Sequence, residues 1–139
     1  MKMCALDLGD KWTGVAITDA LQILARPYTT VPSATLETFL HDFFKKESIS
    51  HAIIGYPKTL RGTESNQTRK TVLMQQQLAA QFPTITWLLW DERLTSKAAQ
   101  KIQHKAEDKN KEHAIAAALI LENYLQHLAF KKMMEEGEE

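Results

Sequence analysis

Three carboxylates stand where a sheet protein can do chemistry. Asp7 lies near the end of the short apolar run MCALDL, and Asp91 and Glu92 directly follow the apolar run TITWLLW. Clustered carboxylates repel one another and raise each other's pKa unless a divalent cation stabilises the ionised forms. Mg²⁺ suits such a place, because it takes oxygen ligands and is held by only one or two carboxylates plus substrate phosphates. Two such ions roughly 3.5 to 4 Å apart can activate a water on one side of a phosphorus and stabilise the leaving oxygen on the other. The pattern therefore points to phosphodiester hydrolysis. Taken singly, each acid has a plainer use: Asp7 as a turn-forming residue, Asp91 as a helix N-cap with Glu92 in the first turn. It is their joint placement at strand ends that carries weight.

The elements that must position these acids follow from hydrophobic periodicity. Residues 3–8 and 14–18 are apolar runs around a Gly-flanked turn, a β-hairpin pattern, with Gly9 and Gly14 expected to supply the positive φ of a tight reversal. Residues 21–31, LQILARPYTTV, read as a third strand that Pro27 pushes to an edge. Leu36, Phe39, Leu40 and Phe43 recur at helical spacing, after which HAIIGY (51–56) is a strand stopped by Pro57. Residues 66–82 read as a helix with Val72, Leu73, Gln76, Ala79 and Ala80 on one side. Residues 84–90 are a nearly continuous apolar run of the kind buried on both faces. Two closing helices are expected at about 95–105 and about 111–128, the second apolar at Ile115, Ala116, Leu119, Ile120 and Leu125. The order β-β-β-α-β-α-β-α-α defines an α/β domain: a five-stranded mixed sheet, its first three strands antiparallel, flanked by helices on both faces. In open sheets of this type ligands bind outside the carboxyl ends of the parallel strands, where Asp7 and Asp91-Glu92 converge if strands one, four and five are neighbours.

The bulk numbers fit one domain over residues 1–130. At 139 residues the chain can bury roughly two thirds of its unfolded surface around one core. A single cysteine, Cys4, cannot form an internal disulfide, and neither a signal-type segment nor a run of ~18 apolar residues is visible, so a cytoplasmic protein without a membrane span is expected. The formal charge is zero, but four of the acids, Glu135, Glu136, Glu138 and Glu139, lie in the last five positions, which leaves residues 1–134 at +4. Residues 131–139 read as an acidic, disordered tail; the alternative is a polyanion mimic folding over a basic site.

Cations cluster near the acids in sequence. Lys97, Lys101, Lys105 and Lys109 recur every four residues after Arg93, one stripe on a helix, which beside an acidic site would neutralise phosphates and otherwise is a solvated face. The segment from Lys58 to Lys70 sets Arg61 and Arg69 among Gly62, Thr63, Ser65, Asn66 and Thr68, a set suited to phosphate contact or to plain helix capping.

With these residues located, the chain resembles the YqgF (RuvX) family of small RNase H-like nucleases. The matching segments are ALDLGDKWTGVAITD, IIGYPKTLRGTESNQT, DERLTS and AIAAALILENYL, in that order and over nearly the whole chain. The first segment alone would also suit actin-like ATPases, but those require two lobes. The resemblance implies an RNase H-like fold, a nuclease site dependent on Mg²⁺ or Mn²⁺, and structured RNA (the 5′ end of pre-16S ribosomal RNA) or branched DNA as substrate. Carried over by position, Asp7 is the first catalytic acid and metal ligand, and Glu92 the second, with Asp91 beside it. The third falls where the family has Asp before Ser-Ile-Ala-Ala, and here that position is His113. A histidine shifts metal preference towards Mn²⁺ and makes affinity depend on pH, because imidazolium does not bind metal. The alternative is a nucleic-acid-binding module that has lost catalysis. Lys11 matches the family and is a candidate phosphate contact; Trp12 departs from it and could stack on a base. Junction resolution, with two strands to cut, would favour a two-fold homodimer, although no segment marks an interface.

Overall fold

The computed structural model describes residues 1–56, 66–91 and 109–137. Five strands form one sheet in the order β3-β2-β1-β4-β5, with β1 Lys2–Asp7, β2 Trp12–Thr18, β3 Ala25–Pro32, β4 Ile49–Tyr56 and β5 Thr86–Asp91. The first three are antiparallel, and β4 and β5 continue parallel to β1. The expected neighbours one, four and five therefore do lie side by side.

Alternation along the strands feeds two cores. Cys4, Leu6, Val15, Ile17, Ala52 and Ile54 meet α1 (Leu36–Lys46) and α2 (Asn66–Gln81) on one face. Met3, Ala5, Ala16 and Ile53 meet α3 (Lys109–Gly137) on the other. In α1 the apolar stripe Leu36, Leu40, Phe43 and Phe44 is buried as its spacing requires. α2 turns a different stripe inward from the one expected: Thr68, Thr71 and Leu78 are buried, while Leu73 is exposed. Two threonines fit there because they sit on the sheet-facing side, so composition alone misplaced the face.

Two strands also differ from expectation. β3 begins at Ala25, not near residue 21, because the Asp19 carboxylate accepts hydrogen bonds from the Ile23 and Leu24 N–H groups at 2.8 and 2.9 Å. That ties residues 19–24 into a turn, with Gln22 at φ 58°. β3 is an edge strand, as Pro27 indicated. β5 is half-buried rather than buried on both sides, since it forms the other edge among the described residues.

At the amino end of β1, Lys2 donates to Glu47 at 3.0 Å. This hydrogen bond, outweighing partial burial, holds the Glu47 carboxyl below the usual carboxylate range. Its stabilisation is present above that range and is lost as pH falls through the lowered value. Glu47→Gln should cost about 0.5–1 kcal/mol at pH 7, and the difference should close well below about pH 4; urea unfolding at the two pH values measures it.

The last helix runs unbroken to Gly137, so residues 131–137 are helical rather than a disordered tail. Alternating i,i+4 Lys and Glu and the absence of a breaker before Gly137 allow it to continue past its last packed residue, Leu128. No helix among the described residues is long and apolar enough to cross a membrane.

Candidate active site

Asp7 ends β1 and pairs across the sheet with Gly14 of β2. Alternation with Met3 and Ala5 turns its side chain to the α3 face. There α3 begins, and its backbone lies directly on Gly14: a Cβ at that position would overlap the His113 carbonyl and stand 2.7 Å from the Ala114 nitrogen. Glycine is required here for closeness, not for a turn. Ala114, Ala117 and Ala118, all buried, keep the next two turns of the helix equally near the sheet. The consequence is that His113 Nδ1 stands 3.9 Å from Asp7 Oδ2, with the side chains 35% and 23% exposed. A carboxylate and an imidazole 106 positions apart in sequence thus share one water-accessible corner at the carboxyl end of β1.

The turn that follows Asp7 is held from the other face. Ser33 donates its hydroxyl to the Gly9 carbonyl at 2.6 Å and its N–H to the Lys11 carbonyl at 2.9 Å. The buried Thr13 hydroxyl meets Ser33 Oγ at 2.9 Å. A Cβ on Gly9 would stand 2.5 Å from the Trp12 carbonyl oxygen, so this glycine too is needed for tightness; positive φ among non-glycine residues occurs at Gln22 and Ser48. Lys11 and Trp12 are exposed at this pole. Lys70 reaches Asp10 at 3.8 Å, which brings the start of α2, with exposed Arg69, to the same turn. Exposed Lys111 precedes His113 by two residues. Lys70 and Lys111 were not singled out from sequence as site residues; the signal for Lys111 was its nearness to His113.

The acids of the fifth strand divide. Asp91 reaches the same pole, paired with Tyr56 in a register that sets Gly55 against Trp90. Its side chain, however, alternates with Trp90, which faces α3, and falls in with Trp87 on the α1–α2 side. The pleat therefore places Asp91 two strand spacings from Asp7, about 10 Å, and on the opposite face. Glu92, Arg61, Arg93, Lys97, Lys101 and Lys105 lie outside the described residues. Among the described residues no group of three or more His, Cys, Asp or Glu side chains surrounds one point.

The donor chemistry nevertheless fits a divalent ion. A hard oxygen and a borderline nitrogen 3.9 Å apart are within reach of one ion at wide angle, given metal–ligand distances of about 2.0–2.2 Å. Asp7 and His113 are the residues that would hold it.

This arrangement, a mixed five-stranded sheet with an acid at the end of β1 and a helix laid over β2, is an RNase H-like fold. Solved structures that share it include resolvases. The RuvC of Thermus thermophilus superposes with a TM-score of 0.59 at 12% identity over 91% of this chain and 96% of that one. The same protein in complex with a Holliday junction substrate gives 0.61. The fowlpox virus Holliday junction resolvase gives 0.56 at 11% identity, covering 92% of this chain and 99% of that one. Sequence comparison is more specific. Residues 1–127 match the family model described as RuvX, Holliday junction resolvase, and the chain belongs to that family. Relatives bearing the name "Putative pre-16S rRNA nuclease" include those of Rubrobacter xylanophilus, 34% identical over 90% of this chain and 92% of its own, and Phocaeicola vulgatus, 36% identical over 90% and 95%.

Proposed function

We propose that this chain is a divalent-metal-dependent endonuclease of the cytoplasm that hydrolyses phosphodiester bonds in structured RNA, with the 5′ end of pre-16S ribosomal RNA as its substrate. The observation that supports this most is the convergence of Asp7 and His113 over Gly14. Relatives' names favour the ribosomal substrate, and solved neighbours of the same fold, one of them bound to a Holliday junction, make branched DNA the competing one.

A divalent ion held by Asp7 and His113 would supply Lewis-acid stabilisation of charge on the scissile phosphate. The remaining tasks fall to the chain. Lys11, Arg69, Lys70 and Lys111 stand round the same pole and neutralise backbone phosphates on either side of the cut, which gives a salt-dependent affinity. Ser33 fixes the Gly9–Lys11 turn, so the Lys11 ammonium approaches from a rigid loop. Trp12, 39% exposed beside that turn, offers a face for one unpaired base. Glu92, the second acid of the family pattern, is assigned to the same ion on sequence grounds.

The test is cleavage of a pre-16S leader RNA and of a four-way DNA junction with Mg²⁺, with Mn²⁺ and with EDTA. Site-specific cutting of the RNA with Mn²⁺, abolished by EDTA, is expected. Cutting of the junction alone would transfer the assignment to DNA, and cleavage that persists in EDTA would overturn it.

The histidine at position 113 favours one second reading, a binding module without turnover. His113→Asp separates the two. If His113 is a working ligand, the wild type cuts with Mn²⁺, and the variant cuts as well but prefers Mg²⁺, the Mg²⁺/Mn²⁺ rate ratio rising by about tenfold or more. If the wild type binds RNA without cutting in any metal, the binding module stands.

A further inference from the structure

The face of the sheet opposite Asp7 carries a cavity of about 510 Å³ at the same pole. It opens between the Gly9–Lys11 turn, the 3₁₀ turn Ser33–Thr35 that leads into α1, and the first turns of α2. Its volume falls within the roughly 300–1,000 Å³ of small-ligand sites. Thr13 lines it, and Thr13 alternates along β2 with Gly14, whose face is the one that α3 covers. Leu8, Leu36, Leu73 and Met74 form apolar walls. Leu73 is 58% exposed, so it borders an opening and is not part of the core.

Apart from Lys70 and the Gln77 amide at the rim, the accessible polar side chains of this cavity accept hydrogen bonds and have none to give. Ser33 Oγ donates its one proton to the Gly9 carbonyl at 2.6 Å, so the 2.9 Å contact between Ser33 Oγ and Thr13 Oγ1 takes the Thr13 proton. Both hydroxyl protons are thereby spent within the wall. Ser33 Oγ, half-buried, keeps a lone pair for a ligand, while Thr13 is fully buried behind it. Asp10, 74% exposed, adds a carboxylate that can only accept. Lys70 stands 3.8 Å from it and is 66% exposed, a loose surface pair that opens at little cost. Apolar walls, acceptors and one cation at the mouth suit an unpaired nucleotide: ring faces meet the walls, N–H groups the acceptors, and the phosphate the ammonium. Guanine suits it best, because its Watson–Crick edge sets two N–H donors, on N1 and N2, side by side for one carboxylate. Adenine and cytosine put a ring-nitrogen acceptor beside their amino group, and uracil has a single N–H between two carbonyls.

We propose that this cavity is a subsite for one unpaired guanine of the RNA, with its N1 and N2 protons on the Asp10 carboxylate, its ring against Leu73 and Met74, and its phosphate on Lys70. The subsite rests on the reading of the chain as an RNA-cutting enzyme and adds to it the base that sets where the cut falls. Asp10 follows Asp7 by three positions, which bounds the separation of their Cα atoms at about 11 Å. The guanine therefore belongs to a nucleotide close to the phosphate held at Asp7, and the strand crosses the Gly9–Lys11 turn from one face of the sheet to the other.

Binding is read without catalysis, on the full chain in EDTA, so that the subsite and the nuclease reading can fail separately. In nuclear magnetic resonance titrations guanosine monophosphate should shift the methyl signals of Leu36, Leu73 and Met74, and should bind at least tenfold tighter than adenosine or uridine monophosphate. Asp10→Asn presents one acceptor and one donor, the pattern that pairs with the amino group and ring nitrogen of adenine, so it should reverse the order of the guanosine and adenosine nucleotides. Leu73→Trp, which fills the mouth, should weaken guanosine monophosphate at least tenfold. Both positions are exposed, and circular dichroism checks that the variants are folded. Equal binding of the three nucleotides, shifts that leave Leu36, Leu73 and Met74 unmoved, or a guanine preference that survives Asp10→Asn would overturn the subsite. A chain that binds guanosine monophosphate in this way but cuts no RNA would support the guanine site and overturn the nuclease reading alone. Where RNA is cut, changing the guanine nearest the cut to adenine should slow the wild type about tenfold and Asp10→Asn not at all; equal slowing of both would also overturn the subsite.

Discussion

Gly14→Ala is expected to destabilise the fold by at least about 3 kcal/mol, to lower the melting temperature by roughly 10 °C, and to abolish cleavage. One methyl group has this effect because there is no flexible side chain to yield. The new Cβ would overlap the His113 carbonyl, with the Ala114 nitrogen at 2.7 Å, so the start of α3 must lift. Lifting it opens the packing of Ala114, Ala117 and Ala118 on the sheet, and the same movement carries His113 away from Asp7. Thermal unfolding followed by circular dichroism reads the first effect and the cleavage assay the second. A variant with wild-type melting and activity would mean that α3 does not dock on β2 as described.

Asp7→Asn separates chemistry from folding. Asp7 is 23% exposed at the rim of the sheet, and the amide is nearly isosteric, so stability should change by less than about 1 kcal/mol. The cleavage rate should fall by about 10³-fold or more, because an amide is a poor ligand for a hard cation and several kcal/mol of charge stabilisation go with it. RNA binding at low salt should survive, since Lys11, Arg69, Lys70 and Lys111 are untouched. Loss of binding together with cutting would show instead that Asp7 holds the turn of Gly9–Lys11 in place.

Much of this was legible in the residues. The apolar runs ending in Asp7 and in Trp90-Asp91 marked strands with acids at their ends, their adjacency being a condition that the sheet order then met, and the stripe of α1 needed nothing beyond its spacing. The sheet edge at Pro27 was likewise a local property. What failed depended on distant partners or on a balance of local bonds. Gly14 looked like part of a turn, whereas its function is a contact with a residue 99 positions on, which no window of sequence contains. Leu21, Ile23 and Leu24 read as strand because they are apolar, but one carboxylate, Asp19, accepting two backbone hydrogen bonds outweighs that preference. Asp91 and Asp7 seemed equivalent as strand-end acids, and only the register decided that they lie on opposite faces. Residues 131–137 looked like a disordered tail because charge was read without periodicity; they are exposed, as a solvated segment should be, but they continue α3 as a helix.

The site itself was half visible. Asp7 followed from its position at a strand end, while His113 came from resemblance to a family whose pattern has an acid there. The docking of α3 on Gly14 brings position 113 beside Asp7, so on the proposed function the position can change its donor atom and keep its place.

That common ion is tested most directly by titrating Mn²⁺ into the protein and following histidine ring signals by nuclear magnetic resonance. If Asp7 and His113 hold one ion, the His113 signals broaden at substoichiometric Mn²⁺, before those of His41, His51 and His127, and this selectivity disappears in Asp7→Asn. Uniform broadening of all histidines, or selective broadening of His113 that persists in Asp7→Asn, would contradict the account.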